Sequence, residues 1–173
     1  KILDKKSVEE ILKKHISTKE RFDFYPELYN RILKDYKNKE LSIIDLGAGI
    51  NGLSYKFFSK GINYTGIESV GQLVGLTNYF FSKRNIKNAK TIHLSLFDLE
   101  KVREVIKGVK ERKIIFLFKV VDSLEMLEKD YSKRLLKEIM NLQGIEKIVV
   151  SFATRSLVSG KNFKAKRYWF ENF

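Results

Sequence analysis

The sequence predicts an α/β protein built on a doubly wound, mostly parallel sheet, with a short helical extension ahead of it. Two observations carry that expectation. From Leu41 onward, short apolar runs alternate with stretches of helical periodicity. Ile114 to Phe118 is apolar at every position, as a strand covered on both faces requires. Strands separated by helices imply parallel pairing, and right-handed crossovers then favour the doubly wound arrangement.

In order, Ser7 and Glu10 have capping-box spacing ahead of an amphipathic helix that carries Val8, Ile11 and Leu12 on one face. Ser17 to Glu20 repeats that spacing. Phe22, Tyr25, Leu28, Tyr29, Ile32 and Leu33 follow at helical intervals, with Pro26, the single proline, near the start where it costs least. These aromatic residues are expected in the core. Residues 1–40 therefore read as a helical N-terminal extension and residues 41–173 as the main domain. Strands are expected over Leu41–Leu46, Asn63–Ile67, Thr91–Leu94, Ile114–Phe118 and Lys147–Phe152. Helices are expected over Leu53–Phe58, Val70–Lys83, Leu99–Val109 and Leu124–Met140, the last as one long element.

Composition narrows the function classes. The chain has 173 residues, 43% of them hydrophobic, enough for one sizeable core. No apolar run approaches the roughly 20 residues that span a bilayer. The absence of cysteine excludes thiolate metal sites, and two histidines, His15 and His93, are too few for a His-based cluster. No membrane or metal partner is expected, and a cytoplasmic monomer is the default. Lys and Arg number 34 against 21 acids, a formal charge of +13. Such a field draws polyanions, although a lysine-rich compositional bias would give the same count.

Ligands in a doubly wound sheet bind at the carboxyl ends of the strands, where strand order reverses. Gly47, Ala48 and Gly49 follow the first strand there, and glycine lets the backbone turn sharply against a ligand. Glu68 ends the second strand about 20 residues on, where an acid can accept hydrogen bonds from both ribose hydroxyls. Asp98 and Leu99 follow the third strand, in place to frame an adenine; Asp98 is equally suited to cap the next helix. Gly47-Ala48-Gly49-Ile50-Asn51-Gly52 also fits the Gly-x-Gly-x-x-Gly of dinucleotide sites.

Asp45-Leu46-Gly47-Ala48-Gly49 resembles the Asp-x-Gly-x-Gly loop of Rossmann-like, class I methyltransferases, which favours S-adenosylmethionine over a dinucleotide. Three further segments resemble the aminoglycoside-resistance methyltransferases that modify a guanine N7 in the decoding region of 16S ribosomal RNA. They are His15-Ile16-Ser17-Thr18-Lys19-Glu20-Arg21, Phe118-Lys119 with Leu124-Glu125, and Val150-Ser151-Phe152-Ala153-Thr154-Arg155-Ser156-Leu157 followed by Trp169-Phe170-Glu171. The resemblance implies S-adenosylmethionine held by Asp45, Gly47, Ala48, Gly49, Glu68, Asp98 and Leu99, with His15 and Arg21 reaching its methionine carboxylate or the RNA; a buried structural role suits His15 equally. It implies ribosomal RNA or the small ribosomal subunit as partner. Arg155, Lys161, Lys164, Lys166 and Arg167, interleaved with Phe163, Tyr168 and Trp169, are then expected to contact RNA, or else to form a solvated basic loop beside a packed tryptophan. No residue is assigned as catalytic.

The chain departs from that family at Gly52 and Ala153, where the family carries proline, and its extension is shorter. Five strands where the family has seven, and a start at Lys1, lead us to expect a truncated chain or a relative without the last strands. The alternatives are a methyltransferase with another RNA, protein or small-molecule acceptor, or a non-catalytic RNA-binding module with a degenerate cofactor pocket.

Overall fold

A computed structural model describes residues 5–36, 40–59, 61–152 and 170. The extension forms α1 (Lys5–Lys14), a single turn α2 (Ile16–Lys19), a 3-10 turn over Phe22–Phe24 and α3 (Tyr25–Leu33). Ser7 therefore lies inside α1 rather than capping it. The second expected helix is also broken. The Thr18 hydroxyl donates to the carbonyls of Leu12 (2.6 Å) and His15 (3.2 Å), which closes the corner between α1 and α2. Pro26 then occupies the first turn of α3, where its missing N–H leaves nothing unsatisfied.

The main domain runs β1 (Leu41–Leu46), a 3-10 helix over Asn51–Phe57, β2 (Asn63–Glu68), α4 (Gly71–Lys83), β3 (Ala89–His93), α5 (Leu99–Gly108), β4 (Arg112–Phe118), α6 (Val121–Leu127), α7 (Tyr131–Met140) and β5 (Ile145–Ser151). The strands form one parallel sheet in the order β3-β2-β1-β4-β5. Strand order reverses between β1 and β4, so the doubly wound expectation holds and the switch point falls at the end of β1.

The period-two alternation of the strands divides the core. Ile43, Tyr64, Ile114 and Phe116 face one layer, which contains Phe80 and Phe81 of α4 and also Val8, Leu12, Tyr25, Tyr29 and Ile32 of the extension. Ile44, Ile67, Ile115 and Leu117 face the other, against Val102 and Ile106 of α5 and Leu135 and Ile139 of α7. The extension thus closes one face of the sheet. Tyr25 and Tyr29 are fully buried and stacked, ring centroids 5.3 Å apart, so the core expectation for these aromatics is met.

Two further expectations need correction. The Leu53–Phe58 segment is a 3-10 helix. The long helix over Leu124–Met140 is two helices, interrupted at Asp130, whose φ of 60° is left-handed. Glu125 fixes that break by accepting the backbone N–H groups of Asp130 (2.8 Å) and Ser132 (2.9 Å) together with the Ser132 hydroxyl. Burial opposes its ionisation, yet these hydrogen bonds leave the carboxyl below its usual pKa.

Packing also accounts for Gly52. A Cβ there would sit 2.8 Å from the Phe81 ring and 3.3 Å from Tyr64. Gly52→Pro should therefore destabilise this chain by about 1–3 kcal/mol through overpacking. Urea denaturation measures it, and an unchanged midpoint would refute the packing argument.

Candidate functional site

The site is built at the carboxyl ends of β1, β2 and β4. Gly47 (φ 70°) and Gly49 (φ 52°) both adopt left-handed backbone, which L side chains rarely tolerate. Space excludes a side chain at Gly47 as well, since its Cβ would lie 2.5 Å from Val120 Cγ2. The loop is pinned to β2: the N–H groups of Gly47 and Ala48 both donate to the Ile67 carbonyl at 2.9 Å. Gly66 permits this approach, because a Cβ on it would come within 3.0 Å of Ala48 Cβ.

Glu68 finishes the clamp. Its Oε2 accepts the Gly49 N–H at 2.8 Å, and its Oε1 accepts the Val70 N–H at 2.8 Å. One largely buried carboxylate therefore joins the glycine loop to the segment that opens α4.

Asp45 lies beneath the loop, fully buried. Its Oδ2 accepts from Asn51 Nδ2 (2.7 Å) and the Tyr64 hydroxyl (3.0 Å), while Oδ1 has no partner. Asn51 Oδ1 in turn accepts from the hydroxyls of Tyr25 (3.0 Å) and Tyr29 (3.3 Å), and Tyr29 also meets Ser54 Oγ at 2.8 Å. A continuous polar network thus runs from the loop into the extension. Burial raises the Asp45 pKa to about 6, against the opposing hydrogen bonds from Asn51 and Tyr64. Burial likewise pushes Tyr25 up to about 12, partly countered by the neighbouring Arg21 charge.

The sign of the Asp45 effect on stability follows. Folded protein holds its proton more tightly than unfolded chain, so this contribution is complete below about pH 4 and lost as pH rises through about 6. Asp45→Asn removes that titration. The variant should gain on the wild type by up to about 3 kcal/mol between about pH 4 and about pH 7.5. Urea unfolding of both proteins at those pH values checks it, and a constant difference would show that Asp45 does not titrate in the window.

The extension brings further groups to this edge. The Arg21 guanidinium rests on the Phe118 ring, 4.8 Å from its centroid, and its Nε and Nη1 are buried with no hydrogen-bond partner among the described residues. His15 is partly buried; desolvation lowers its pKa, and the nearby Glu68 charge opposes that. Glu20 forms an ion pair with Lys119, the residue after β4. The His15-to-Arg21 segment therefore converges on the glycine loop and the end of β4.

Asp98 and Leu99 open α5 at the same carboxyl edge of the sheet. Asp98 caps the helix, accepting the Lys101 N–H at 3.3 Å, and pairs with Lys101 Nζ at 2.6 Å. Those contacts with Lys101 hold its carboxyl below the usual range. Leu99 is half-buried against the α5 core layer. Arg155, Lys161, Lys164, Lys166 and Arg167 lie outside the described residues.

Sequence reading gave no role to Asn51, Tyr64 or Lys119. A signal for the first two existed, because an aspartate in an otherwise apolar buried strand needs donors, and parallel register sets Tyr64 opposite Ile43 on the Asp45 face. Among the described residues, no group of His, Asp or Glu is arranged to hold a metal ion, and no helix is long and apolar enough to cross a membrane.

No protein-family model matches the sequence, and comparison with curated proteins found no match. Solved structures do match. The 16S rRNA methylase ArmA superposes with a TM-score of 0.66 at 24% identity, over 95% of this chain and 78% of that one. An rRNA methylase from Escherichia coli gives 0.62 at 22% identity, over 87% of this chain and 57% of that one. The 16S rRNA methylase RmtB gives 0.66 at 20% identity, over 96% of this chain and 59% of that one. The chain thus spans less than two thirds of the latter two, and at these identities the likeness establishes the fold: a Rossmann-like sheet of the kind found in methyltransferases.

Proposed function

We propose that this chain is an S-adenosylmethionine-dependent methyltransferase whose acceptor is ribosomal RNA, at a guanine N7 in the decoding region of the small subunit. The observation that carries the cofactor half is Arg21, half-buried, whose guanidinium has two buried nitrogens without a hydrogen-bond partner among the described residues. Buried N–H groups of a cation need acceptors, and a carboxylate supplies an acceptor of complementary charge. The rest of the donor set fits the same molecule. Gly47, Ala48 and Gly49 give a backbone cradle without side chains at the two tight positions, Glu68 offers acceptor oxygens for a ribose, and Asp98 with Leu99 lies where an adenine edge would be read.

S-adenosylmethionine supplies an electrophilic methyl group on a sulfonium. Guanine N7 carries a free lone pair and no proton, so the residues need supply no general base. Their work is alignment: Arg21 and His15 at the carboxylate end, Glu68 at the ribose, and a loop held rigid by Ile67, Glu68 and the Asp45–Asn51 network. The base would have to be accessible or flipped out of the RNA fold.

For the acceptor, support comes from the formal charge of +13, the segments resembling the 16S methyltransferases and the fold shared with the rRNA methylases. The basic stretch from Arg155 to Arg167 belongs to this reading as an RNA contact. Small ribosomal subunits incubated with the protein and labelled cofactor, followed by mass mapping of the RNA, test it. Label at one guanine is the expected result. Cofactor binding with no label in RNA would leave a methyltransferase with another acceptor, and no cofactor binding at millimolar concentration would reject the enzyme altogether.

A further inference from the structure

We infer that Lys119 is an RNA-phosphate contact held in reserve by Glu20, an inference that rests on RNA being the acceptor. Lys119 follows β4 directly and adopts φ 60°, a left-handed conformation that a residue with a side chain enters only when its surroundings enforce it. Two constraints enforce it here. Its N–H donates to the Ser151 carbonyl at the end of β5, at 2.8 Å. Its neighbour Val120 packs into the space above Gly47. The backbone turn delivers the lysine to the mouth of the glycine loop, beside the strand-order switch.

The side chain is 10% exposed, but the ammonium ends in a surface contact with Glu20, which is 36% exposed. Partner and lysine lie 99 residues apart in sequence, one in the extension and the other at the end of β4. The next residue, Arg21, covers Phe118, the residue before Lys119. Glu20-Arg21 and Phe118-Lys119 are thus laid against each other as a two-residue clasp.

Partly exposed ion pairs are weak and exchangeable. An RNA phosphate at this mouth could take the ammonium from Glu20 with release of a condensed counterion. Contact with Glu20 already restrains the long side chain, so less side-chain freedom is lost on docking. Lys119 acts as a positioning residue: it sets the RNA backbone relative to the cofactor loop and takes no part in methyl transfer itself.

The test exploits opposite signs. Lys119→Met keeps the buried stem and removes the charge; Glu20→Gln removes the competitor and leaves the ammonium free. Binding of labelled 16S ribosomal RNA is measured between about 50 and about 200 mM salt, with S-adenosylmethionine affinity measured alongside. Lys119→Met should weaken RNA binding about tenfold and lower the salt slope by about 0.9. Glu20→Gln should tighten RNA binding by about threefold, and Lys119→Arg should stay within about twofold of the wild type. RNA binding is compared at saturating S-adenosylmethionine, because Glu20 and Lys119 adjoin Arg21 and Phe118. A merely structural ion pair would move Glu20→Gln and Lys119→Met in the same direction, which overturns the inference while RNA remains the acceptor. RNA binding unchanged in both variants overturns it equally. A wild-type protein that binds cofactor but no RNA overturns the RNA reading, and this inference with it.

Discussion

Glu68→Ala should reduce S-adenosylmethionine affinity by about 100-fold or more, the largest effect expected of a single substitution in this chain. The carboxylate has two tasks that the mutation removes together. In the free protein it accepts the N–H groups of Gly49 and Val70, so its loss leaves two donors unpaired and unties the glycine loop from the start of α4. In the complex proposed above, its remaining lone pairs would accept the ribose hydroxyls. Hydrogen bonds to a charged group are worth about 1.5–3 kcal/mol each, so two of them account for the expected loss. Glu68→Gln separates the tasks. The amide keeps one acceptor oxygen but turns an NH2 group toward one of the two backbone N–H donors, so it should bind about tenfold more weakly than the wild type. Calorimetry with S-adenosylmethionine provides the readout, with urea unfolding of the free variants to measure how much is lost from the fold. Wild-type affinity in Glu68→Ala would remove the ribose from this site. Tight binding of NAD in place of S-adenosylmethionine would move the loop to the dinucleotide class.

What the residues alone conveyed was local and periodic. The pattern located all five strands to within two residues at each end, and most directly β1, β2 and β4, where a buried parallel strand writes its burial into consecutive positions. The glycine loop and Glu68 were legible for a related reason: a left-handed turn after a strand demands glycine, and the acid falls at a fixed chain distance from it. Helix continuity was not legible. Leu124 to Met140 keeps an apolar stripe across the break, and the interruption is imposed by Glu125 reaching forward to Asp130 and Ser132. The same holds at Thr18, where a side chain bonded six residues back ends one helix and starts another. Apolar periodicity reports which face is buried and says little about whether the backbone is continuous.

Long-range polar pairing was hidden more completely. The Asp45–Asn51–Tyr25–Tyr29 network joins β1 to the extension only once the extension has packed on the sheet. Tyr25 and Tyr29 were readable as core by spacing, and they are core, but their hydroxyls hold the loop that cradles the candidate ligand. Asp98 shows the converse. Its place after β3 suited an adenine contact and a helix cap alike, and the structure shows the cap, through Lys101. A carboxylate with remaining lone pairs is able to do both, so the adenine role stands as part of the proposal.

Arg21→Met should separate binding from stability more sharply than any other substitution. Methionine retains a flexible apolar side chain against the Phe118 ring and removes a guanidinium whose Nε and Nη1 are buried without partners. Two opposed charge effects act on the free protein. Desolvation of the unpaired nitrogens favours the variant, whereas loss of the positive charge near Asp45 disfavours it. Above about pH 6, where Asp45 is ionised, these effects work against each other, so unfolding stability should change by less than about 1 kcal/mol. Below that pH Asp45 is neutral and the attraction vanishes, so the variant should become the more stable protein. Cofactor affinity has no such compensation. A charge-assisted guanidinium–carboxylate contact in a water-poor site is worth about 2–3 kcal/mol, so S-adenosylmethionine should bind about 30- to 150-fold more weakly at every pH. Methylthioadenosine, which lacks the carboxylate, should bind wild type and variant alike. That comparison is decisive for the assignment: equal weakening of both ligands would mean that Arg21 supports the pocket walls, whereas weakening of S-adenosylmethionine alone places the guanidinium on the carboxylate and fixes which way the cofactor lies along the sheet edge.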